Sequence, residues 1–130
     1  MSTSDLTGAI RGSVAGEIER GADGFFRQRY VFGADFPGFA GHFPGRPILP
    51  AVVQIMAATL LVEETTGQRL QSTAIERAKF VLPIVPGALV EIACRRPAGA
   101  DDELWEIRID ADRKAAASFF LKLRPPPESS

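Results

Sequence analysis

The sequence predicts an α+β fold in which a curved antiparallel β-sheet wraps around one long central helix. Two observations carry that prediction. Residues 51–66 read AVVQIMAATLLVEETT, and from Val52 to Val62 only Gln54 and Thr59 are polar. A helix apolar around almost its whole circumference is expected to be buried on all sides. Residues 73–123 then read as strands with alternating apolar and polar positions, separated by short Gly-, Pro- or Asp-containing turns, the pattern of an antiparallel meander. The length, 130 residues with 45% apolar and 24% charged, is that of one soluble domain spanning 1–130, with about 8–124 ordered and a disordered tail over 125–130.

In chain order, residues 1–7 are expected to fray, and 13–20 is open between a short helix and an edge strand. Residues 25–32 are a strand with Phe26, Gln28, Tyr30 and Phe32 on one face and Arg27 and Arg29 on the other. Residues 36–47 are a loop, because Pro44, Gly45 and Pro47 do not fit a helix interior. Pro50 suits a first helical turn, which starts the helix over 51–66, ~24 Å long at 1.5 Å per residue. Residues 73–81 form a strand with Arg77 and Lys79 opposite Ala74, Ala78 and Phe80, followed by a turn at 82–87. Residues 88–96 put Ala88, Val90, Ile92 and Cys94 inward, 103–110 put Trp105, Ile107 and Ile109 on one face, and 115–123 do the same with Ala117, Phe119, Leu121 and Leu123.

Fifteen Lys and Arg against sixteen Asp and Glu give a net charge of -1. That balance argues against nucleic acid as a partner, which needs a basic excess. The single cysteine, Cys94, allows no internal disulfide, fits a reducing compartment, and reads as a buried small residue. No signal-peptide pattern opens the chain, and the apolar run 48–62 is interrupted by Pro50 and Gln54 and is shorter than the ~20 residues of a membrane span. The expectation is a cytoplasmic protein with no membrane span, no metal and no cofactor.

The chemistry-bearing stretch is GHFPGRPILPAVVQIM, residues 41–56, which holds the only histidine, His42, in a stiff loop ahead of the helix. The run His42, Phe43, Pro44, Gly45, Arg46, Pro47, Ile48, Leu49, Pro50, Ala51 resembles the His-Phe-Pro-Gly-x-Pro-[Ile/Val]-[Met/Leu]-Pro-Gly run of the hotdog-fold (3R)-3-hydroxyacyl-acyl carrier protein dehydratases of fatty acid and polyketide synthesis. The later AKFVLPIVPGALVEIAC, residues 78–94, is similar to that family's next two strands and their Pro-Gly turn. Val52-Val53-Gln54 resembles the branch found with aryl-polyene pigment synthesis. Three departures stand out. The family glycine after the last proline is Ala51 here, and the family's helix carboxylate, fourteen residues after the histidine, is Met56. The family's glutamine further along the helix is Leu60.

The resemblance implies His42 as the base that removes a proton from C2 of a 3-hydroxyacyl thioester, since a neutral imidazole suits that task. The helix N-terminus supplies backbone N–H groups at Ala51 or Val52 for the thioester oxygen. Gln54 is the polar group placed to orient the hydroxyl or a water. Phe43, Pro50, Ala51, Val52 and Met56 are the expected substrate-binding positions. Met56 cannot supply the acid that helps the hydroxyl leave. Glu63 sits on the Met56 face but seven residues on, ~10 Å along the axis.

Four readings follow: a dehydratase working with His42 alone or with Gln54; one half of a heterodimer whose acid-bearing partner completes the site; a non-catalytic acyl-binding subunit; and a thioesterase, against which the missing carboxylate argues. The implied partners are an acyl carrier protein bearing a 3-hydroxyacyl or 2-enoyl thioester (or the coenzyme A thioester) and a second hotdog subunit, the same or different.

Overall fold

A helix opens the chain where the sequence reading expected a frayed end. In the computed structural model, which describes residues 3–39, 45, 47–99 and 101–127, α1 spans Thr3–Gly12. Its signals were present: Asp5 lies in the first turn and Arg11 in the last, matching the helix dipole. Leu6, Ala9 and Ile10, spaced for one face, pack against the core, and Ile10 is fully buried.

Residues 13–20, left open by the sequence, are mostly irregular. Val14 makes a single bridge to Tyr30, and Glu19–Arg20 forms a two-residue strand, β1. β2 (Phe26–Val31) follows with Tyr30 buried, then a short 3₁₀ turn at Pro37–Phe39. The rings of Tyr30, Phe32, Phe36 and Phe39 form a chain with centroids 4.8–5.8 Å apart. Gly38 is needed here, because a Cβ would run into the ring of Phe36.

α2 (Ala51–Thr66) has the bounds the sequence predicted. Its burial does not match the expectation of a helix enclosed on all sides. Val53, Gln54, Ala57, Ala58, Leu61 and Val62 are buried, while Val52 is 61% exposed and Ile55, Met56 and Leu60 are only partly covered. The sheet covers one side of a helix, and the described chain has too little material beyond α1 to cover the other. Ala57 and Ala58, both at 0% exposure, let the backbone approach the sheet closely.

The sheet has six strands in the order β1-β2-β4-β5-β6-β3, every pairing antiparallel. β4 (Leu89–Arg95), β5 (Leu104–Ala111) and β6 (Lys114–Arg124) are the predicted meander. β3 (Gln71–Phe80) does not join it through β4, as the order of the strands along the chain suggested; it pairs with β6 and forms the far edge. α2 crosses the sheet and delivers the chain to that edge, and residues 81–88 carry it back. The inward alternation holds on β4, β5 and β6, where Ile92, Cys94, Ile107, Ile109, Phe119 and Leu121 share one core cluster with Leu61 and Val62 of α2. Each such aliphatic or aromatic burial contributes ~1.5–3 kcal/mol before entropy is counted. On β3 the alternation fails. Its register shifts twice, Arg77 has φ 51, and only Ala74 is even partly buried. A bulged strand at an edge with no layer above it has no face to hide.

Candidate functional site

The N-terminus of α2 is built without a cap. The N-cap residue is Pro50, whose side chain has no acceptor to offer. Its carbonyl receives Val53 N and Gln54 N at 3.1 and 3.2 Å, while no described residue accepts from Ala51 N–H or Val52 N–H. Leu49 N donates to Ile84 O at 2.8 Å, tying the lead-in of the helix to the β3–β4 connection. Between those two segments lies a cleft of about 450 Å³, walled by Pro50, Ala51 and Gln54 on one side and Phe80, Val81 and Pro83 on the other.

Gln54 is the only polar side chain buried among the described residues, at 6% exposure. Its Nε2 donates to Leu49 O at 3.1 Å, which fixes which way the amide points. Its Oε1 is buried and has no hydrogen-bond partner among the described residues. A buried acceptor left unpaired costs ~1–3 kcal/mol, so it needs a reason. Ala51, whose N–H has no acceptor among the described residues, and Gln54, whose Oε1 has no partner among them, therefore line one cleft.

Met56 looks elsewhere. Two residues on from Gln54 it is turned by about 200° around the helix, and it lines an open groove of about 670 Å³ between α1, α2 and the start of β3. Glu63 shares that groove, as its spacing from Met56 implied, but its Oε2 accepts Leu70 N–H at 2.7 Å. Of the positions singled out by the sequence, the structure brings Pro50, Ala51 and Gln54 together and leaves Met56 outside the cleft, with Val52 exposed beside it. His42, Phe43 and Arg46 lie outside the described residues. The Phe80–Pro83 wall was not anticipated. Its only sequence signal was the turn, since the pairing of Leu49 with Ile84 is long-range.

Cys94 is fully buried, and burial pushes its thiol up to about 12, so it stays protonated at neutral pH and is no nucleophile. Among the described residues, no group of His, Cys, Asp and Glu is arranged to hold a metal ion. No helix among them is long and apolar enough to cross a membrane.

A six-stranded antiparallel sheet packed on one long helix is the architecture of a hotdog-fold protein. The chain's architecture matches a subunit of the dehydratase heterocomplex ApeI:P from Xenorhabdus doucetiae with a TM-score of 0.71 and 25% identity, covering 82% of this chain and 93% of that one. The family model for ApeI-like proteins, described as ApeI dehydratase, matches residues 23–119, and the chain belongs to that family. Among relatives, the 3-hydroxyacyl-[acyl-carrier-protein] dehydratase FabZ of Granulibacter bethesdensis is 37% identical over 103 residues, 68% of this chain and 60% of the relative. The FabZ of Novosphingobium aromaticivorans is 44% identical over 63 residues, 42% of this chain and 40% of the relative. The matched part thus spans about half the length of these relatives.

Proposed function

We propose that this protein is a 3-hydroxyacyl-thioester dehydratase of fatty acid or polyketide/polyene synthesis, a lyase acting on substrate borne by an acyl carrier protein. The observation that carries the reading is the uncapped N-terminus of α2 at a cleft, with no acceptor for Ala51 and Val52 N–H among the described residues, in a chain of the ApeI-like dehydratase family. His42 takes the C2 proton, and charge moves onto the thioester oxygen, which the two N–H groups hold. The C3–O bond then breaks, the double bond forms between C2 and C3, and the proton on the imidazole leaves with the hydroxyl as water. The acyl group lies along Pro50 and Ala51.

A second reading is supported by the position of Met56. Where the family resemblance puts a carboxylate, this chain has a thioether on an open groove. A second hotdog subunit carrying the acid would complete the site of His42 across the interface, and the solved ApeI:P neighbour is a heterocomplex. The long exposed edge β3 offers the unpaired backbone for such pairing, so the pure protein or its complex should scatter light as about twice 14.0 kDa.

Hydration of a 2-enoyl thioester, followed by loss of its ultraviolet absorbance, tests both readings. His42→Ala should lower the rate by ~10²–10⁴-fold, and Met56→Glu should raise that of the lone protein if it acts alone. If it is half of a pair, the lone protein is nearly inactive and an acid-bearing partner restores turnover that still needs His42. Activity that survives His42→Ala in every combination removes His42 from the mechanism. Acyl-thioester binding without turnover in any combination makes the protein a non-catalytic subunit.

A further inference from the structure

We propose that Gln54 is the hydroxyl-recognition residue of the cleft: its Oε1 accepts the hydrogen of the substrate's 3-hydroxyl, so that the site selects a 3-hydroxyacyl thioester over the acyl chain that lacks the hydroxyl. The inference rests on the dehydratase reading and deepens it.

Hydrogen-bond accounting at the cleft leads there. The helix terminus offers donors only, the N–H groups of Ala51 and Val52, which suit a carbonyl oxygen. Gln54 offers an acceptor only, because Nε2 is committed to Leu49 O and Oε1 has no partner among the described residues. The amide cannot be reversed without setting Oε1 against the Leu49 carbonyl. The complementary ligand presents an acceptor and a donor on the same edge. A β-hydroxy thioester does so, with its carbonyl oxygen and 3-hydroxyl two carbons apart. A 2-enoyl or saturated acyl thioester presents the acceptor alone. Gln54 lines the cleft with its Oε1 buried, so the side chain or the facing Phe80–Pro83 wall must shift for the hydroxyl to reach that oxygen.

The arrangement also says what Gln54 does not do. A carboxamide oxygen accepts the hydroxyl hydrogen and gives no proton. It turns the lone pairs of the hydroxyl oxygen away from itself and toward whichever group donates. Gln54 therefore holds and selects, and the departing proton comes from elsewhere. Such a contact needs no carboxylate at Met56, which points into the other groove.

The test is binding, read apart from turnover. N-acetylcysteamine thioesters of (3R)-3-hydroxyhexanoate and of hexanoate are titrated into the full chain by calorimetry. The wild type should prefer the hydroxylated thioester about tenfold, the size of one neutral hydrogen bond. Gln54→Leu should bring the ratio close to one while hexanoyl binding persists. Gln54→Glu, held protonated by its burial, donates its carboxyl hydrogen to Leu49 O and keeps the other oxygen as an acceptor, so it should retain the preference. A residue that only braces Leu49 would behave otherwise: both variants would weaken both ligands together and leave the ratio unchanged, and that result overturns the inference. If Gln54→Leu does not fold, the Glu variant decides, since loss of the preference there also overturns it. Selective binding that Gln54→Leu abolishes, without turnover in any combination, upholds Gln54 and sinks the dehydratase reading. Turnover with a ratio indifferent to Gln54 does the reverse.

Discussion

The two ends of α2 are finished in opposite ways. At the C-terminus every device of a stable stop is present. Gly67 takes the left-handed conformation at φ 70, and its N–H returns to Glu63 O at 2.8 Å. The hydroxyls of Thr65 and Thr66 bond to Val62 O, and the Glu63 carboxylate takes Leu70 N–H. At the N-terminus Pro50 caps nothing, and neither two of the N–H groups nor the buried Gln54 Oε1 has a partner among the described residues. One helix, one sheet and one environment do not explain the contrast. An end that is closed serves stability; an end left open at a cleft keeps its hydrogen-bonding capacity for a ligand, and local rules are broken most often where function needs it.

The middle of the helix gives the largest test of that contrast, because it shows what pure packing is worth. Leu61 is 1% exposed in the core, whereas Met56 lies on the open groove. Leu61→Ala should cost ~2–5 kcal/mol in urea denaturation, the range for a core cavity. Met56→Ala should cost ~1 kcal/mol or less, the range for a large side chain deleted from a half-covered site. If the two losses are equal, a partner covers the Met56 side in solution. A Met56 loss that shrinks on dilution of the protein would identify that partner as a second copy.

How much of this was legible depended on whether the cause was local. The bounds of α2 could be read because Pro50 and Gly67 act on their own neighbours. The strands β4 to β6 could be read because their turns are short and Ile92, Ile107 and Phe119 alternate with polar residues. The site of β3 could not be read, since pairing to β6 rather than β4 is decided by residues some forty positions away. α1 was missed although Leu6, Ala9 and Ile10 announce it, because Gly8 and Gly12 and a polar start weaken the pattern. At the site, the N-terminal donors followed from Pro50 in the sequence, and the family run pointed to His42. That Gln54 turns inward while Met56 turns out requires knowing which side of a wholly apolar helix meets the sheet, and the residues 52–62 alone do not say.

The closed end predicts a smaller loss. A Cβ added at Gly67 would meet no atom within 4 Å, so the cost is conformational alone. Gly67→Ala should lower stability by ~1–2 kcal/mol, the penalty of a left-handed non-glycine residue, and thermal melts would show it. Turnover of the 2-enoyl thioester should be unaffected per folded molecule, because this end lies a full helix length from the cleft. A fall in specific activity without a fall in melting temperature would show that the C-terminal end belongs to the working part of the molecule.

The open end predicts the smallest change in stability and the more telling one in activity. Pro50→Ser places a hydroxyl where a helix cap belongs, and its oxygen can take the N–H groups of Val52 or Val53. A serine cap is worth ~1 kcal/mol over alanine, while loss of the proline ring frees the unfolded chain and takes back ~0.4–1 kcal/mol. The comparison that isolates the cap is therefore Pro50→Ser against Pro50→Ala, which share the loss of the ring. Serine should be the more stable of the two by ~1 kcal/mol in denaturant. It should also be the less active, since an internal acceptor now competes with the thioester oxygen for the same donors. Weaker competition for one oxyanion donor still matters, because removing such a donor outright costs ~10²–10³-fold in turnover. Stability and activity moving in opposite directions between these variants is the signature of an end kept open for substrate. If serine is both more stable and at least as active as alanine, the free N–H groups of α2 hold no thioester oxygen, and the uncapped terminus is only an accident of the proline-rich loop before it.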